Sequence, residues 1–301
     1  MTRITVAAPA KLNLFLDITG KRSDGYHLLN TVMQSVSLYD DVTVTLEEDS
    51  SEISISCSDP EIPCDKSNTA YIAAEKFFAY TGMKPTGVSV RIKKRIPSQA
   101  GMAGGSTDAA AVLYALNELC GTGLDREQLA EIAEQVGADV PFCIYGGTMS
   151  ATGIGNIFSP LPDMPDCTIV AVRPGFRVST RDAYERSDNM GYHLPKSSDG
   201  IIAAICSGSV KELAEKLYNR FEELTDEPEL PEIKQKMMEC GALGALMTGS
   251  GSVIFSIFDD EEKAQHCRDQ LRAVSDSIYV FRPDPQGQRR IGSGIFSALF
   301  D

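Results

Sequence analysis

The clearest periodic pattern of apolar and polar positions lies close to the start of the chain. Between residues 4 and 18 the two kinds of position alternate, which predicts a strand with one apolar face and one mixed face. The apolar face carries Leu12, Leu14, Leu16 and Ile18, and the mixed face carries Lys11, Asn13, Phe15 and Asp17. A lysine beside an asparagine fits either a solvated sheet face or the wall of a cleft, and the local pattern leaves both open.

Three further alternating segments predict strands, over residues 42–46, 52–57 and 88–96. The acidic segment 47–51 joins the first two and predicts a hairpin-type connection. The third segment carries four cations, which decorate a solvated sheet edge or add positive potential to a neighbouring loop: Arg91, Lys93, Lys94 and Arg95.

Helical spacing of apolar residues predicts three helices in the same half of the chain, over residues 69–80, 107–120 and 126–136. Each follows residues of the types that cap helices, and each stops at a glycine. The predicted N-caps are Ser67 or Asn68, then Ser106, then Asp125 with Gln128 as a capping box. A glycine-bearing hairpin is predicted over residues 146–160.

The second half of the chain predicts a different order of elements. After a strand at 168–172 and a poorly periodic region to about residue 200, the predicted elements are helices at 210–224 and 231–240, strands at 243–247 and 253–258, a helix at 261–274 and a strand at 278–281. This order is the split βαβ pattern. Three prolines within 159–166 predict the boundary between a domain at 1–160 and a domain at 161–282, with a tail at 283–301 of no assigned role.

A glycine-rich loop leads into the second predicted helix. Its sequence over residues 97–107 is Pro-Ser-Gln-Ala-Gly-Met-Ala-Gly-Gly-Ser-Thr. Such a loop gathers free backbone N–H groups and the positive end of the helix dipole, which favours phosphate binding. The alternative is a tight turn in which glycine supplies only positive φ angles. The P-loop, dinucleotide-binding and protein-kinase motifs are all absent.

Composition and charge limit the classes of function. With 28 basic and 42 acidic residues, the net charge is −14, which disfavours nucleic acid as a partner. The eight cysteines form no CxxC pair, a pattern typical of free thiols in a reducing cytosol. The N-terminus runs directly into a strand, and no apolar run approaches the length of a membrane span, so we expect a cytoplasmic protein with no membrane partner.

Three stretches together resemble the GHMP kinase superfamily, which includes galactokinase, homoserine kinase and mevalonate kinase. They are residues 97–110, residues 9–14 (Pro-Ala-Lys-Leu-Asn-Leu) and residues 247–252 (Met-Thr-Gly-Ser-Gly-Ser). Within the superfamily, residues 24–27 (Asp-Gly-Tyr-His) and 137–142 (Gly-Ala-Asp-Val-Pro-Phe) are similar to the branch that phosphorylates diphosphocytidyl methylerythritol in non-mevalonate isoprenoid synthesis. The resemblance runs from residue 3 to about 282, and the tail lies outside it.

The resemblance implies an α+β, two-domain GHMP kinase fold, with a ribosomal-protein-like N-terminal domain, a ferredoxin-like C-terminal domain and an active site between them. It also implies an ATP- and Mg²⁺-dependent kinase acting on the diphosphocytidyl alcohol as its small-molecule substrate. Two alternatives stay open: a GHMP kinase of the mevalonate or homoserine type, or a non-catalytic nucleotide-binding regulator. Nothing in the sequence indicates the oligomeric state.

The resemblance assigns roles to particular residues. Lys11 and Asp139 would be the catalytic pair, although Asp139 alone fits equally well as the N-cap of a short helix. The ATP phosphates would be bound by Pro97, Ala100, Gly101, Met102, Ala103, Gly104, Gly105, Ser106 and Thr107, a loop braced by residues 249–251. The substrate would be bound by Asn13, Tyr26, His27, Thr180 and Tyr184, with His27 reading the cytosine edge and the two tyrosines enclosing the ring.

Two features depart from the family pattern. Met102 and Ala103 replace the usual Leu-Gly in the phosphate loop. We expect Ala103 to need a negative φ and to restrict how closely a phosphate approaches. The Mg²⁺ carboxylate of other superfamily branches has no obvious counterpart, which leaves Ser106 as a candidate metal contact.

Overall fold

The computed structural model describes residues 3–47, 49–84, 86–191 and 193–291. Its first half is a sheet covered on one face by helices. The strands are β1 (Arg3–Lys21), β2 (His27–Glu47), β3 (Ile53–Cys57), β4 (Gly87–Lys93), β5 (Thr148–Thr152) and β6 (Ile157–Pro160). The helices are α1 (Thr69–Thr81), α2 (Gly104–Cys120), α3 (Arg126–Glu134) and α4 (Val140–Tyr145).

β1 and β2 are the longest strands of this first sheet and pair antiparallel with each other. Residues 28–38, whose apolar pattern has no clean period, belong to β2, which runs without interruption from His27 to Glu47. The apolar residues of β1 and β4 pack with those of α1 and α2 into one buried cluster. The predicted caps of α1 and α3 are confirmed, because Asn68 accepts from the backbone N–H of Ala70 and the capping box of Asp125 with Gln128 is present.

The predicted hairpin between residues 42–46 and 52–57 is wrong. β4 lies between β2 and β3, antiparallel to the first and parallel to the second. The burial pattern explains the order, because Val88, Val90 and Ile92 of β4 are fully buried whereas β3 alternates between half-buried and exposed positions. A strand that is half exposed is suited to the sheet edge, and α1 carries the chain back to the central position.

The second half contains the remaining elements and a second sheet. They are β7 (Thr168–Val172), α5 (Thr180–Met190), α6 (Asp199–Ser207), α7 (Val210–Glu215), β8 (Tyr218–Asn219), α8 (Arg220–Glu223), α9 (Glu229–Glu239), β9 (Gly244–Met247), β10 (Ile254–Phe258), α10 (Glu261–Leu271), β11 (Ile278–Phe281) and β12 (Arg289–Arg290). The second sheet has the order β11–β7–β10–β9, and every pair in it is antiparallel. This is the ferredoxin-like arrangement, so the predicted α+β class is confirmed.

The predicted helix over residues 210–224 is wrong, because the segment is divided into α7, β8 and α8. Its apolar residues serve two different cores: Leu213 packs in the cluster that joins the two sheets, whereas Phe221 and Leu224 pack in a second cluster. Between them, Tyr218 and Asn219 pair in parallel with Phe15 and Leu16 of β1. The poorly periodic region before residue 200 contains α5, and α6 lies between that region and α7; the pattern predicted neither helix.

Elements of the second half therefore complete the first sheet. β8 and β12 both pair with β1, and one buried cluster contains Leu12 and Leu14 of β1 together with Ile169 and Phe255 of the second sheet. Of the helices that the structure describes, none combines the length and the apolar character needed to cross a lipid bilayer.

Candidate active site

A crevice of about 720 Å³ lies between the two halves of the chain. Its walls come from β1, the glycine loop before α2, the segment before α4, the start of α5 and the turn between β9 and β10. Many of the predicted site residues line it: Lys11, Asn13, Ala100, Gly101, Ala103, Gly104, Gly105, Ser106, Asp139, Thr180 and Tyr184. Pro97, Met102 and Thr107 are buried behind the wall, and Tyr26 and His27 lie beyond it.

The glycine loop turns through left-handed backbone conformations before α2 begins. Gln99, Gly101 and Ala103 have φ angles of 53°, 80° and 57°. The expectation that Ala103 needs a negative φ is wrong, because this residue takes the left-handed conformation at a cost of about 1–2 kcal/mol. Ala103 and not Ser106 is the N-cap, so the free N–H groups of α2 begin at Gly104 and face the crevice.

A turn from the second half packs directly against this loop. A Cβ on Gly101 would lie 2.1 Å from the carbonyl oxygen of Thr248, so only glycine fits there. The N–H of Val253 donates to the carbonyl oxygen of Ala100 at 3.2 Å. Residues 248–253 therefore hold the glycine loop from the opposite side of the crevice.

Lys11 and Asp139 meet across the crevice. The Lys11 Nζ lies 3.6 Å from Asp139 Oδ2 and donates a 2.5 Å hydrogen bond to Asn13 Oδ1. The Lys11 side chain is 4% exposed whereas that of Asp139 is 43% exposed. Asp139 occupies the N-cap position of α4 but its side chain makes no capping hydrogen bond. A buried ammonium thus faces a carboxylate that is open to the crevice.

Asn13 connects this pair to both halves of the chain. Its Nδ2 donates to Thr31 Oγ1 at 2.9 Å, and its backbone N–H donates to Thr248 Oγ1 at 2.9 Å. Because Asn13 is 2% exposed and its amide is held on the neighbouring strand, the Lys11 ammonium has a fixed acceptor besides Asp139.

A second buried lysine lies beneath the glycine loop. Of the two roles left open for Lys94, the solvated edge is wrong, because its Nζ forms ion pairs with Asp40 and, at 2.9 Å, with Asp108 of α2. A Cβ on Gly104 would lie 3.0 Å from this ammonium. Burial and the Asp40 carboxylate raise the pKa of Asp108 to about 8, against the opposing influence of Lys94. Because β4 is a central strand and not an edge, Lys94, which directly follows it, is buried. The carboxylates of Asp40 and Asp108 therefore share its single ammonium group.

Three of the five residues predicted to bind the substrate lie on or against α5: Thr180, Tyr184 and His27. Thr180 Oγ1 and Ser250 Oγ are 2.7 Å apart, which joins the start of α5 to the turn after β9. The His27 ring stacks on the Tyr184 ring with centroids 4.4 Å apart, and His27 Nε2 lies 2.8 Å from Asp188 Oδ1. Tyr26 is 60% exposed. One face of Tyr184 is therefore covered by His27.

Sequence reasoning missed two residues that shape the site. Asn219, 2% exposed, donates from Nδ2 to the carbonyl oxygens of Met247 and Gly249, both at 2.7 Å. Asp188 pairs with both Lys21 and His27. Asn219 stood inside a predicted helix and Asp188 inside an unassigned region, so no local pattern marked either one.

Carboxylates and imidazoles do not cluster as a ready metal site. Within the described ranges, no group of three or more His, Cys, Asp or Glu side chains is arranged to hold a metal ion. Asp139, Ser106 and Thr69 are among the oxygen-bearing side chains that line the crevice.

Two family models match the chain. The GHMP kinases N terminal domain matches residues 68–147, and the GHMP kinases C terminal domain matches residues 201–276. These matches include the glycine loop, Asp139 and the turn at 248–252.

Whole-chain relatives agree with the family models. A 4-diphosphocytidyl-2-C-methyl-D-erythritol kinase of Clostridium kluyveri is 41% identical over 279 residues, which is 92% of this chain and 99% of the relative. One of Caldicellulosiruptor saccharolyticus is 42% identical over 91% of this chain and 94% of its own. A crystal structure of 4-(cytidine 5'-diphospho)-2C-methyl-D-erythritol kinase superimposes with a TM-score of 0.75 at 32% identity, over 94% of this chain and all of that one. The chain therefore belongs to the GHMP kinases and, within them, to the family of 4-diphosphocytidyl-2-C-methyl-D-erythritol kinases.

Proposed function

We propose that this protein transfers the γ-phosphoryl group of ATP to the 2-hydroxyl of 4-diphosphocytidyl-2-C-methyl-D-erythritol, a step of non-mevalonate isoprenoid synthesis. The observation that carries the proposal is the Lys11–Asp139 pair, 3.6 Å apart in the crevice that the start of α2 also lines. A carboxylate, an ammonium and a phosphate-binding turn in one crevice are the groups that phosphoryl transfer to an alcohol requires.

The Asp139 carboxylate would accept the proton of the attacking hydroxyl. Lys11 would hold this carboxylate in its charged form and offset negative charge on the transferred group. Because Lys11 is buried and fixed by Asn13, its ammonium would act without reorganisation during the reaction. Transfer would be direct and in line, with no covalent intermediate on the enzyme.

The ATP phosphates would lie on the N–H groups at the start of α2. A second cavity of about 310 Å³ shares Thr69, Gln99 and Gly105 with the crevice and extends away from Asp139. The adenosine part of ATP fits there, because this position leaves the γ-phosphate pointing back toward Lys11. Thr69 Oγ1 donates to the Gly105 carbonyl oxygen at 2.7 Å, which supports the rim between the two cavities.

Mg²⁺ would enter the site bound to ATP. The ion keeps several waters and phosphate oxygens as ligands and takes only one or two from the protein. Asp139 and Ser106 in the crevice fit that small requirement. When bound, the ion would neutralise phosphate charge, while Lys11 and the backbone N–H groups would orient the phosphates.

The alcohol substrate would occupy the part of the crevice near α5. Tyr184 and His27 provide aromatic surface for a cytosine ring, and Asn13 and Thr180 provide polar contacts at the crevice wall. With His27 held on one face of Tyr184, the cytosine would stack on the remaining aromatic surface, with Tyr26 beside it.

We also infer that the protein works in a reducing compartment such as the cytoplasm and needs no nucleic-acid partner. All eight cysteines are free thiols, and five of them are at intermediate or exposed positions: Cys57, Cys64, Cys120, Cys206 and Cys240. The net charge of −14 supports the absence of a nucleic-acid partner.

Coupled ADP release with the purified protein tests the proposal. We expect turnover on the diphosphocytidyl alcohol and little on mevalonate, homoserine or a hexose. Turnover on one of these alone would move the protein to another branch of the superfamily.

Substitution of the pair tests the mechanism. We expect Lys11→Ala and Asp139→Asn each to reduce turnover by about 10²–10⁴-fold, the usual contribution of a positioned acid–base group. Binding of a non-hydrolysable ATP analogue should stay within a few-fold of the unmodified protein. Asp163→Asn, at an exposed carboxylate in the loop after β6, is the matched control and should leave turnover unchanged. Near-normal rates in both pair variants would contradict the mechanism and favour a non-catalytic regulator.

A further inference from the structure

Residues 283–291, which we call the strap, are folded onto the first sheet although they lie beyond the segment that carries the family motifs. Pro283 bridges to Val36, and β12 pairs antiparallel with Val6 and Ala7. The N–H of Ile291 donates to the carbonyl oxygen of Thr5 at 2.8 Å. The strap therefore runs back along the first sheet from the end of the second one.

A buried carboxylate anchors the strap. Asp284 is 4% exposed, and its Oδ2 accepts from the Tyr39 hydroxyl at 2.8 Å and from Arg289 Nη1 at 2.7 Å. The Arg289 guanidinium also lies over the Tyr39 ring, 4.7 Å from the centroid. The N–H of Asp284 donates to the carbonyl oxygen of Ser35 at 2.8 Å. Asp284 and Arg289 both belong to the strap, so their ion pair fixes the shape of the loop over residues 285–288.

This fixed loop touches two elements of the active site. Gln288 Nε2 donates to Thr107 at its Oγ1, 2.8 Å away, and at its carbonyl oxygen, 3.2 Å away. Thr107 belongs to the first turn of α2, where its N–H donates to the carbonyl oxygen of Ala103. Gly287 packs against Gly146 at the end of α4, so closely that a Cβ on Gly146 would lie 2.1 Å from the Gly287 Cα.

We propose that Gln288 is a positioning residue for the phosphate-binding turn, and that the strap sets α2 and α4 relative to each other. α2 begins with the N–H groups that face the crevice, and α4 begins directly after Asp139. α2 meets the strap at the hydroxyl and carbonyl oxygens of Thr107, and α4 meets it at Gly146, so the strap contacts both helices through residues that do not line the crevice. The inference rests on the proposed function, because it assigns the start of α2 to the ATP phosphates.

The test is the affinity of the full-length protein for a non-hydrolysable ATP analogue, measured by calorimetry. We expect Gln288→Ala to weaken binding about 3- to 10-fold, the effect of one lost hydrogen bond. The KM for the alcohol should stay within about two-fold, because Gln288 acts only on the phosphate side of the crevice. A purely structural role would lower the melting temperature without this selective loss of nucleotide affinity.

Two further variants separate hydrogen bonding from packing. Gln288→Glu has nearly the same volume but cannot donate to the Thr107 carbonyl oxygen, so we expect it to bind the analogue at least as weakly as Gln288→Ala. Gln286→Ala is the matched control, since Gln286 is exposed in the same strap and contributes its backbone N–H to Asp284 Oδ1. It should bind like the unmodified protein.

Unchanged analogue affinity in Gln288→Ala, or full affinity in Gln288→Glu, would overturn the role of Gln288. The proposed function fails separately, if the unmodified protein binds the analogue but does not phosphorylate the alcohol. In that case the ratio of analogue affinities between Gln288→Ala and the unmodified protein still decides the role of the strap.

Discussion

Three buried ionisable side chains lie directly beneath the glycine loop. Asp40 and Asp108 are 0% and 3% exposed, and the Lys94 ammonium lies between them. The backbone N–H groups of Arg95 and Ile96 donate to Asp40 Oδ1, so both oxygens of that carboxylate have hydrogen-bond donors. Asp108 has no comparable support, because its Oδ1 has no hydrogen-bond partner among the described residues. One cation cannot compensate two buried carboxylates, so Asp108 retains its proton in the folded state to a higher pH than usual.

This charge distribution makes stability depend on pH. The pKa of Asp108 is raised to about 8 in the folded protein, by burial and by the Asp40 carboxylate. Between the ordinary carboxyl range and pH 8 the folded state holds a proton that the unfolded state has released, so the free energy of unfolding falls as the pH rises. The slope reaches at most about 1.4 kcal/mol per pH unit.

The Asp108→Asn variant isolates this effect. Its side chain stays neutral at every pH, so denaturant unfolding between pH 5 and 8 should show a smaller decline in stability than that of the unmodified protein. Glu75→Gln, at an exposed position on α1, is the control and should leave the slope unchanged. Parallel pH profiles for Asp108→Asn and the unmodified protein would refute the assignment of the retained proton to Asp108.

At the scale of elements, the crevice depends on the contact between two loops. The loop before α2 and the turn between β9 and β10 come from opposite halves of the chain and touch backbone to backbone at Gly101 and Thr248. Asn219 of β8 holds the turn from behind by two hydrogen bonds to its carbonyl oxygens. The contacts that hold the glycine loop thus depend on the second half being docked against it.

Two glycine substitutions separate this contact from backbone strain. Gly101 and Gly121 both have positive φ angles, of 80° and 61°, but a Cβ on Gly121 would meet open space. We expect Gly121→Ala to cost about 1 kcal/mol in urea unfolding, from conformation alone. Gly101→Ala should cost at least about 2 kcal/mol more and should also abolish binding of an ATP analogue, because the new Cβ overlaps the Thr248 carbonyl group. If the two substitutions had equal effects on unfolding and on analogue binding, the contact between the two loops would contribute to neither.

At the scale of the whole molecule, both halves of the chain contribute strands to the first sheet and side chains to one core. β8 and β12 of the second half both pair with β1 of the first sheet, and β12 is part of the strap. A single buried cluster joins Leu12 and Leu14 to Ile169, Leu246 and Phe255. The first half therefore lacks part of its sheet and core when the second half is absent.

This sharing predicts cooperative unfolding. In differential scanning calorimetry we expect one transition with a ratio of calorimetric to van't Hoff enthalpy of about 1, because the halves cannot expose their common core separately. Tyrosine fluorescence and far-ultraviolet circular dichroism should follow the same curve. Two resolved transitions would contradict the shared core and would favour independently stable domains.

Local physical chemistry in the sequence determined the elements whose apolar spacing is served by one core. The stripe of α2, the alternation of β1 and the caps at Asn68 and Asp125 needed no tertiary information. Gly101, Gly104 and Gly105, around the start of α2, likewise indicated a turn with free backbone N–H groups. The predicted roles of Lys11, Asp139 and the loop residues remain predictions for the experiments above.

Tertiary structure alone decided which charges are buried and which segments meet. From the sequence, Lys94 could be a solvated cation at a sheet edge, but the central position of β4 buries it. The apolar residues of 210–224 predicted one helix, but the structure divides them between two cores. Asn219, Asp188 and Gln288 carry no local pattern, because each acts on a partner far away in the chain. Spacing along a chain reports the face of an element, whereas burial and partnership depend on what packs against that face.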